Sequence, residues 1–194
     1  MKKSELQCLI EGVVVIDLDS YQDERGQFME TFNAGKFAAL GIETEFKQAN
    51  ESVSFSGVLR GMHIQSNNPQ GKLVRCVYGT IYDAFVDLRY GSKTFGKWDG
   101  IWLTWKQPQA IYIPPGVAHG FYTASSVAIL NYLCTTLYDK ESDGGVLWND
   151  PEIGIEWPFS KDFVPIVSTK DMSLPSIGEI KERYEQLHRL QRES

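Results

Sequence analysis

Cysteine, histidine and long apolar runs are all scarce in this chain, and each scarcity removes a class of function. The three cysteines, Cys8, Cys76 and Cys134, are odd in number and widely spaced. They make neither a disulfide framework nor a CxxC metal clip. No apolar run approaches the roughly 20 residues that a membrane helix needs. The first residues, MKKSELQCLIEG, carry two lysines but no sustained apolar stretch. No secretory signal is therefore expected, and the expected address is a reducing cytoplasm. Basic charge is also short: 19 Lys and Arg against 25 Asp and Glu leave a net charge of −6. A broad basic footprint for nucleic acid is excluded, while a local anion site is not. Repeats, low-complexity stretches and a linker that would split the chain are absent, and 194 residues suit one domain.

What is present points to β structure. The chain has 17 glycines, and aromatics make up 12%. Short β-branched runs are separated by turn residues at roughly 8–12-residue spacing, the pattern of a sandwich or barrel. GVVVID at residues 12–17 is one such run. Leu73–Tyr78 and Ile81–Leu88 read as two strands joined through Gly79-Thr80, a hairpin signal. Further strands are expected at Trp98–Trp105, Ala110–Ile113, Gly120–Thr123 and Ala128–Thr135. Helix is expected in two places. Asn33–Leu40 ends at Gly41, and Ser176–Arg192 places Ile177, Ile180, Tyr184, Leu187 and Leu190 at spacings of three and four. That apolar stripe suits either packing on the chain's own barrel or a dimer contact.

Three histidines bound the chemistry. His188 lies in the charged tail and reads as solvated. His63 stands in Arg60-Gly61-Met62-His63-Ile64-Gln65, where a period of two puts His63 and Gln65 on one face. His119 follows the stiff Pro114-Pro115-Gly116 turn, which suits a positioned side chain. The PxGxxH stretch Pro114–His119 resembles the second motif of cupins, small double-sheet β-barrels with a site inside. Many cupins hold a metal through an HxH pair, a Glu and the later His. Here the pair reads His63-Ile64-Gln65, and Gln70-Gly71-Lys72 stands where the Glu would follow. Two histidines beside an ammonium make a poor divalent site, so no metal is expected. A barrel histidine can instead take a proton near neutral pH, with Lys72 steadying a negative oxygen. Asp171 is a candidate to orient the imidazole and Tyr132 a candidate acid; the residues alone do not pair either with His63, and Tyr132 also reads as an ordinary core tyrosine.

Nine stretches, in order, carry a more specific resemblance. They are DERGQFME at 23–30, QANES at 48–52, GVLRGMHIQ at 57–65, QGKLVR at 70–75, VDLR at 86–89, TFGKW at 94–98, IPPGVAHGF at 113–121, WNDP at 148–151 and Lys170-Asp171. Together they resemble the dTDP-4-dehydrorhamnose 3,5-epimerase family over about residues 12–175. The resemblance implies an all-β, cupin-type double-sheet jelly-roll barrel with a few short helices, assigned to residues 1–175; the periodic run beyond it is assigned as a C-terminal helical tail at 176–194. It implies an enzyme, free of cofactor and metal, that inverts carbons beside the 4-keto group of a nucleotide-linked 6-deoxyhexose. By resemblance His63 is the base, Asp171 orients it, Lys72 steadies the enolate oxygen and Tyr132 returns a proton from the opposite face.

The same resemblance implies that His119 and Arg60 contact anionic groups of sugar and pyrophosphate. Arg25, Phe28, Glu30, Gln48 and Asn50 match positions that hold the nucleotide, some reaching in from a second subunit of a homodimer. Tyr138 matches an aromatic that stacks on the base. Arg25, Arg60, Lys72 and Arg75 are candidates to converge on the pyrophosphate, with Arg75 equally readable as an exposed strand position. The chain departs from the family at Leu133, where Lys is frequent, and at Thr136-Leu137-Tyr138, where Asp-Tyr-Tyr is frequent; its helical tail is also long. Those departures leave open whether C3 alone or C3 and C5 are inverted. A 3,4-ketoisomerase on the same barrel and a non-catalytic sugar-nucleotide-binding cupin are the competing readings.

Overall fold

The computed structural model describes the backbone of residues 1–193 and the side chains of residues 1–187. The side chains of His188 and Leu190 lie outside the described residues. Thirteen strands are described: β1 (Lys2–Lys3), β2 (Val14–Asp17), β3 (Ser20–Asp23), β4 (Gly26–Met29), β5 (Gln48–Phe55), β6 (Leu59–Gln65), β7 (Lys72–Tyr78), β8 (Thr80–Asp87), β9 (Trp98–Thr104), β10 (Gln109–Ile113), β11 (Val117–Thr123), β12 (Val127–Cys134) and β13 (Asp143–Gly145). Three helices join them: α1 (Ala34–Ala39), α2 (Thr169–Met172) and α3 (Ile177–Glu193). A six-stranded sheet runs β1-β2-β10-β7-β12-β5 and a five-stranded sheet runs β13-β6-β11-β8-β9; β3 and β4 pair separately. This is the double-sheet, cupin-type architecture expected from the sequence.

Alternation along most strands decides which residues meet in the core. The inner faces meet in one apolar core, with Val15, Val74, Ile111 and Leu130 from the larger sheet against Ile81, Phe85, Leu103, Val117 and Phe121 from the smaller. The outer face of the larger sheet, including Leu73 and Leu133, is covered by the α1 region through Phe37 and Ile42. Asn33 caps α1 by accepting the Lys36 N–H at 3.1 Å, which satisfies one of the donors a helix start leaves open. The outer face of the smaller sheet, including Met62, Ala84, Val86 and Ala118, is covered by Val146, Ile153 and Ile177.

The tail starts with reciprocal capping: the Ser176 N–H donates to Glu179 Oε2 at 2.7 Å and the Glu179 N–H donates to Ser176 Oγ at 3.3 Å. The first part of its stripe turns onto the chain's own barrel, where Ile177 and Ile180 join the outer cluster and Tyr184 meets Tyr90 and Phe95, while Leu187 is exposed. Among the described residues no helix is long and apolar enough to cross a membrane.

Two sequence expectations change. The Leu73–Tyr78 and Ile81–Leu88 runs do not form a hairpin. β7 pairs with β10 and β12 in one sheet, and β8 pairs with β9 and β11 in the other. Gly79 turns a corner between the two sheets at φ +79°. A Cβ there would stand 2.2 Å from the Val127 carbonyl oxygen, so only glycine fits. The spacing of a hairpin and of a sheet-switching corner is the same in sequence; which strands pair is a non-local choice. β11 also begins earlier than Gly120, at Val117, so His119 sits inside the strand.

Candidate active site

Between the two sheets opens a cleft of about 290 Å³. Its lining includes six of the predicted site residues with polar or cationic heads (His63, Lys72, His119, Arg60, Gln48 and Asn50) together with Tyr132 and Tyr138. The walls differ. His63 on β6, Arg60 on β6 and His119 on β11 come from the five-stranded sheet, whereas Lys72 on β7, Tyr132 on β12 and Gln48 and Asn50 on β5 come from the six-stranded sheet.

His63 and His119 are direct cross-strand partners in the antiparallel register of β6 and β11. Glycines bring these strands together, since a Cβ on Gly61 would stand 2.5 Å from the Gly120 Cα. His63 Nε2 lies 2.7 Å from Asp171 Oδ1. The other carboxylate oxygen accepts the Gly61 N–H at 3.1 Å. Asp171 itself is buried. It reaches the site because the chain before α2 pairs with the start of β6: the Leu59 N–H donates to Ile166 O and the Ile166 N–H to Gly57 O. Ser168 then caps α2 by accepting the Asp171 N–H at 3.1 Å.

Burial pushes the Asp171 carboxyl up, but the hydrogen bond and charge of His63 and the Gly61 and Ser168 contacts outweigh it and hold it below the usual carboxylate range. An ionised carboxylate only accepts, so Nε2 is the donor in this contact and Nδ1 is the nitrogen that a base would use.

Lys72 is buried, and burial lowers its ammonium below the ordinary lysine range against the pull of Cys134, Asp143 and Asp83. Among the described residues no carboxylate lies within ion-pair distance of it, so its donors are uncommitted. Burial raises the Tyr132 phenol above its usual value, with Cys134 adding to the shift and Arg60 opposing it. Leu133, the departure next to Tyr132, packs on the outer face and leaves the cleft wall undisturbed.

At the mouth, the Tyr138 hydroxyl donates to Asp143 Oδ2 at 2.8 Å, and Lys170 pairs with the same oxygen. Gln48 accepts the Tyr138 N–H at 2.7 Å and donates to Asn50 Oδ1 at 2.9 Å. Arg60 is steadied by donation from Nε to Ser54 Oγ at 3.0 Å.

Not every predicted residue gathers here. Arg25 and Phe28 stand on the β3–β4 hairpin, in a separate surface depression with Tyr21 and Asp23. Arg25 is tied to Asp23, and Glu30 to Lys36. The convergence of Arg25, Arg60, Lys72 and Arg75 does not occur within the chain. Alternation on β7 turns Lys72, Val74 and Cys76 inward and Arg75 to the other face.

Three carboxylates or cations were also missed. Asp83, fully buried, is hydrogen-bonded through Oδ2 to His119 Nε2 at 2.9 Å. Asp143 and Lys170 line the mouth. Asp83 was legible as an acid at an inward position of the apolar run Ile81–Val86. Asp143 carried no local signal, because β13 reaches the cleft only by pairing with β6, whereas Lys170 stood in a matching stretch without a role assigned to it. Among the described residues no group of three or more His, Cys, Asp or Glu side chains is arranged to hold a metal ion.

Comparison with known proteins agrees with this geometry. A family model described as dTDP-4-dehydrorhamnose 3,5-epimerase matches residues 7–179. A dTDP-4-dehydrorhamnose 3,5-epimerase of Methanothermobacter thermautotrophicus is 47% identical over 174 residues, covering 90% of this chain and 94% of the relative. A dTDP-4-dehydrorhamnose 3-epimerase of Streptomyces niveus is 39% identical, covering 89% of this chain and 83% of the relative. The crystal structure of a dTDP-6-deoxy-D-glucose-3,5-epimerase from Legionella pneumophila, in complex with dTDP-4-keto-L-rhamnose, superposes with a TM-score of 0.87 at 39% identity, covering 92% of this chain and 94% of that one. Fold, cleft and sequence thus converge, and the chain belongs to the dTDP-4-dehydrorhamnose 3,5-epimerase family.

Proposed function

We propose that the chain inverts C3 and C5 of a dTDP-linked 4-keto-6-deoxyhexose, in deoxysugar biosynthesis, by proton transfer between the two walls of this cleft. The observation that carries the reading is the placement of the His63–Asp171 pair on one sheet and Tyr132 on the other. A hydrogen beside a ketone is acidic only because its anion spreads onto the carbonyl oxygen. The site therefore needs a base at carbon and a donor at oxygen. His63 Nδ1 takes the proton, the electron pair moves to the C4 oxygen, and Lys72 donates to that oxygen. Asp171 stabilises the imidazolium that forms. Tyr132, a phenol that holds its proton at neutral pH and whose pKa burial raises further, then gives that proton to the carbon from the other face, which inverts it; exchange with solvent takes the proton from His63 and returns one to Tyr132 before the next carbon reacts.

Arg60 and His119 face the diphosphate, and Tyr138, Gln48 and Asn50 the nucleoside. Arg25, Phe28 and Glu30 can serve that nucleotide only from a second copy of the chain, so the working unit in this reading is a homodimer. The free thiols of Cys8, Cys76 and Cys134 suit a cytoplasmic setting.

Incubation with dTDP-4-keto-6-deoxyglucose in deuterated water tests this. Label at both C3 and C5, with inverted configuration at both, is expected. Label at C3 alone reduces the activity to a single epimerisation. A displaced carbonyl means a ketoisomerase, and tight binding without label means a binding cupin. Tyr132→Phe should lose inversion more than exchange; equal loss of both would remove Tyr132 from its role.

A further inference from the structure

Gln65 lines the cleft two residues beyond His63 on β6, yet the proton chemistry does not use it. Its side chain is buried and fully engaged. Nε2 donates to the Asn68 carbonyl at 2.8 Å and to the Leu137 carbonyl at 3.3 Å. Oε1 accepts the Asp139 N–H at 2.9 Å. The orientation of the amide is unambiguous, because carbonyls only accept and a peptide N–H only donates.

The Leu137 carbonyl and the Asp139 N–H belong to the two peptide groups that flank Tyr138. One side-chain amide thus grips the backbone on both sides of that residue. Gln48 accepts the Tyr138 N–H from a different strand. The gripped segment lies between β12 and β13 and belongs to neither. Fixing such a segment costs conformational entropy, which these contacts offset. Tyr138 itself is about half exposed, 54%, at the mouth.

We propose that Gln65 is a positioning residue that holds Tyr138 at the mouth of the cleft and so sets affinity for the aromatic base of the nucleotide, separately from proton transfer at His63. The inference rests on the function proposed above for its assignment of Tyr138 to the base. His63 and Gln65 share one face of one strand, so a single element carries the base of the reaction and the clamp of the ligand.

The test compares Gln65→Met, which keeps the length without hydrogen bonds, and Gln65→Glu, which keeps the acceptor but when ionised cannot donate. Calorimetric titration with dTDP should show binding weakened by about tenfold or more in both, the scale expected when buried hydrogen bonds are removed and their partners stranded. Exchange at saturating substrate should change less than about threefold, since transition-state contacts at His63 are untouched. Tyr138→Ala should weaken dTDP comparably, and the double variant should be no weaker than Tyr138→Ala alone, as for residues acting in one chain of contacts. Amide hydrogen exchange at Asp139 should accelerate in Gln65→Met without any ligand. Wild-type protein that binds no dTDP overturns the proposed function and this assignment with it. Wild-type binding beside an indifferent Gln65→Met or Gln65→Glu, additive losses in the double variant, or a fall in maximal exchange with unchanged dTDP affinity overturns the clamp alone. Gln65→Glu carries the test if Gln65→Met does not fold.

Discussion

The inside of the sandwich has two regions built on the same strands, one sealed and apolar, the other open and polar. Along β12 the inward residues run Ala128 and Leu130 in the core, then Tyr132 in the cleft. Along β7 they run Cys76 and Val74 in the core, then Lys72 in the cleft. On β11, His119 interrupts an inward row whose other members, Val117 and Phe121, belong to the core. Along β7 and β12 the two regions differ in the side chains at the inward positions. The apolar end supplies stability, since a fully buried aliphatic side chain contributes about 1.5–3 kcal/mol. The polar end opposes it with a buried ammonium that has no carboxylate in ion-pair range among the described residues, and with Asp83 Oδ1, buried and unpartnered. Lys72 and Asp83 are held where they cost stability, and the neighbouring core offsets them.

Substitutions at each end should separate the two contributions. His63→Ala should abolish deuterium incorporation, a loss on the order of 10²–10⁴-fold, with a smaller loss of unfolding free energy, about 1–3 kcal/mol, from the stranded Asp171 oxygen. Retention of a tenth or more of the wild-type rate would place the base elsewhere. Leu130→Ala at the sealed end should do the reverse, costing about 2–5 kcal/mol in urea unfolding while exchange per folded molecule holds. If it slows exchange as strongly as it destabilises, the two regions are not separable.

Lys72→Met should cut exchange on the order of a hundredfold, the scale of one lost oxyanion donor, and raise stability at neutral pH. The direction follows from burial. The folded state lowers the Lys72 pKa, so the unfolded chain binds more protons and wild-type stability rises as pH climbs through the folded value. Met should remove that rise; unfolding titrations of both proteins from pH 7 to pH 10 would show it. Asp171→Asn should have the smallest effect on stability. The folded carboxyl lies below its unfolded value, so its contribution is present above about pH 4 and lost as pH falls further. The Asn variant should flatten that acid limb, and parallel acid limbs would mean Asp171 adds nothing to it.

Much of the site was readable before the fold. His63, His119 and Lys72 were found with their stretches, Tyr132 lay outside them and took its role from the resemblance alone, and alternation put His63 with Gln65 and Leu133 opposite Tyr132, as observed. Asp171 could be nominated but not paired, because 108 positions separate it from His63. The Gly79 link was misread as a hairpin because its local signal serves either use. Arg25, Phe28 and Glu30 matched a family pattern that one chain does not complete.

Local chemistry along the chain determined which residues face inward, since the period of a strand is a property of its own backbone. It also determined where caps and turns fall, and which side chains could carry a proton or an anion. Only the tertiary structure decided that β6 lies beside β11, that β13 brings Asp143 to the mouth, and that one glutamine grips both sides of Tyr138. Strand pairing is settled by the whole set of competing partners at once, and no stretch of sequence contains that competition.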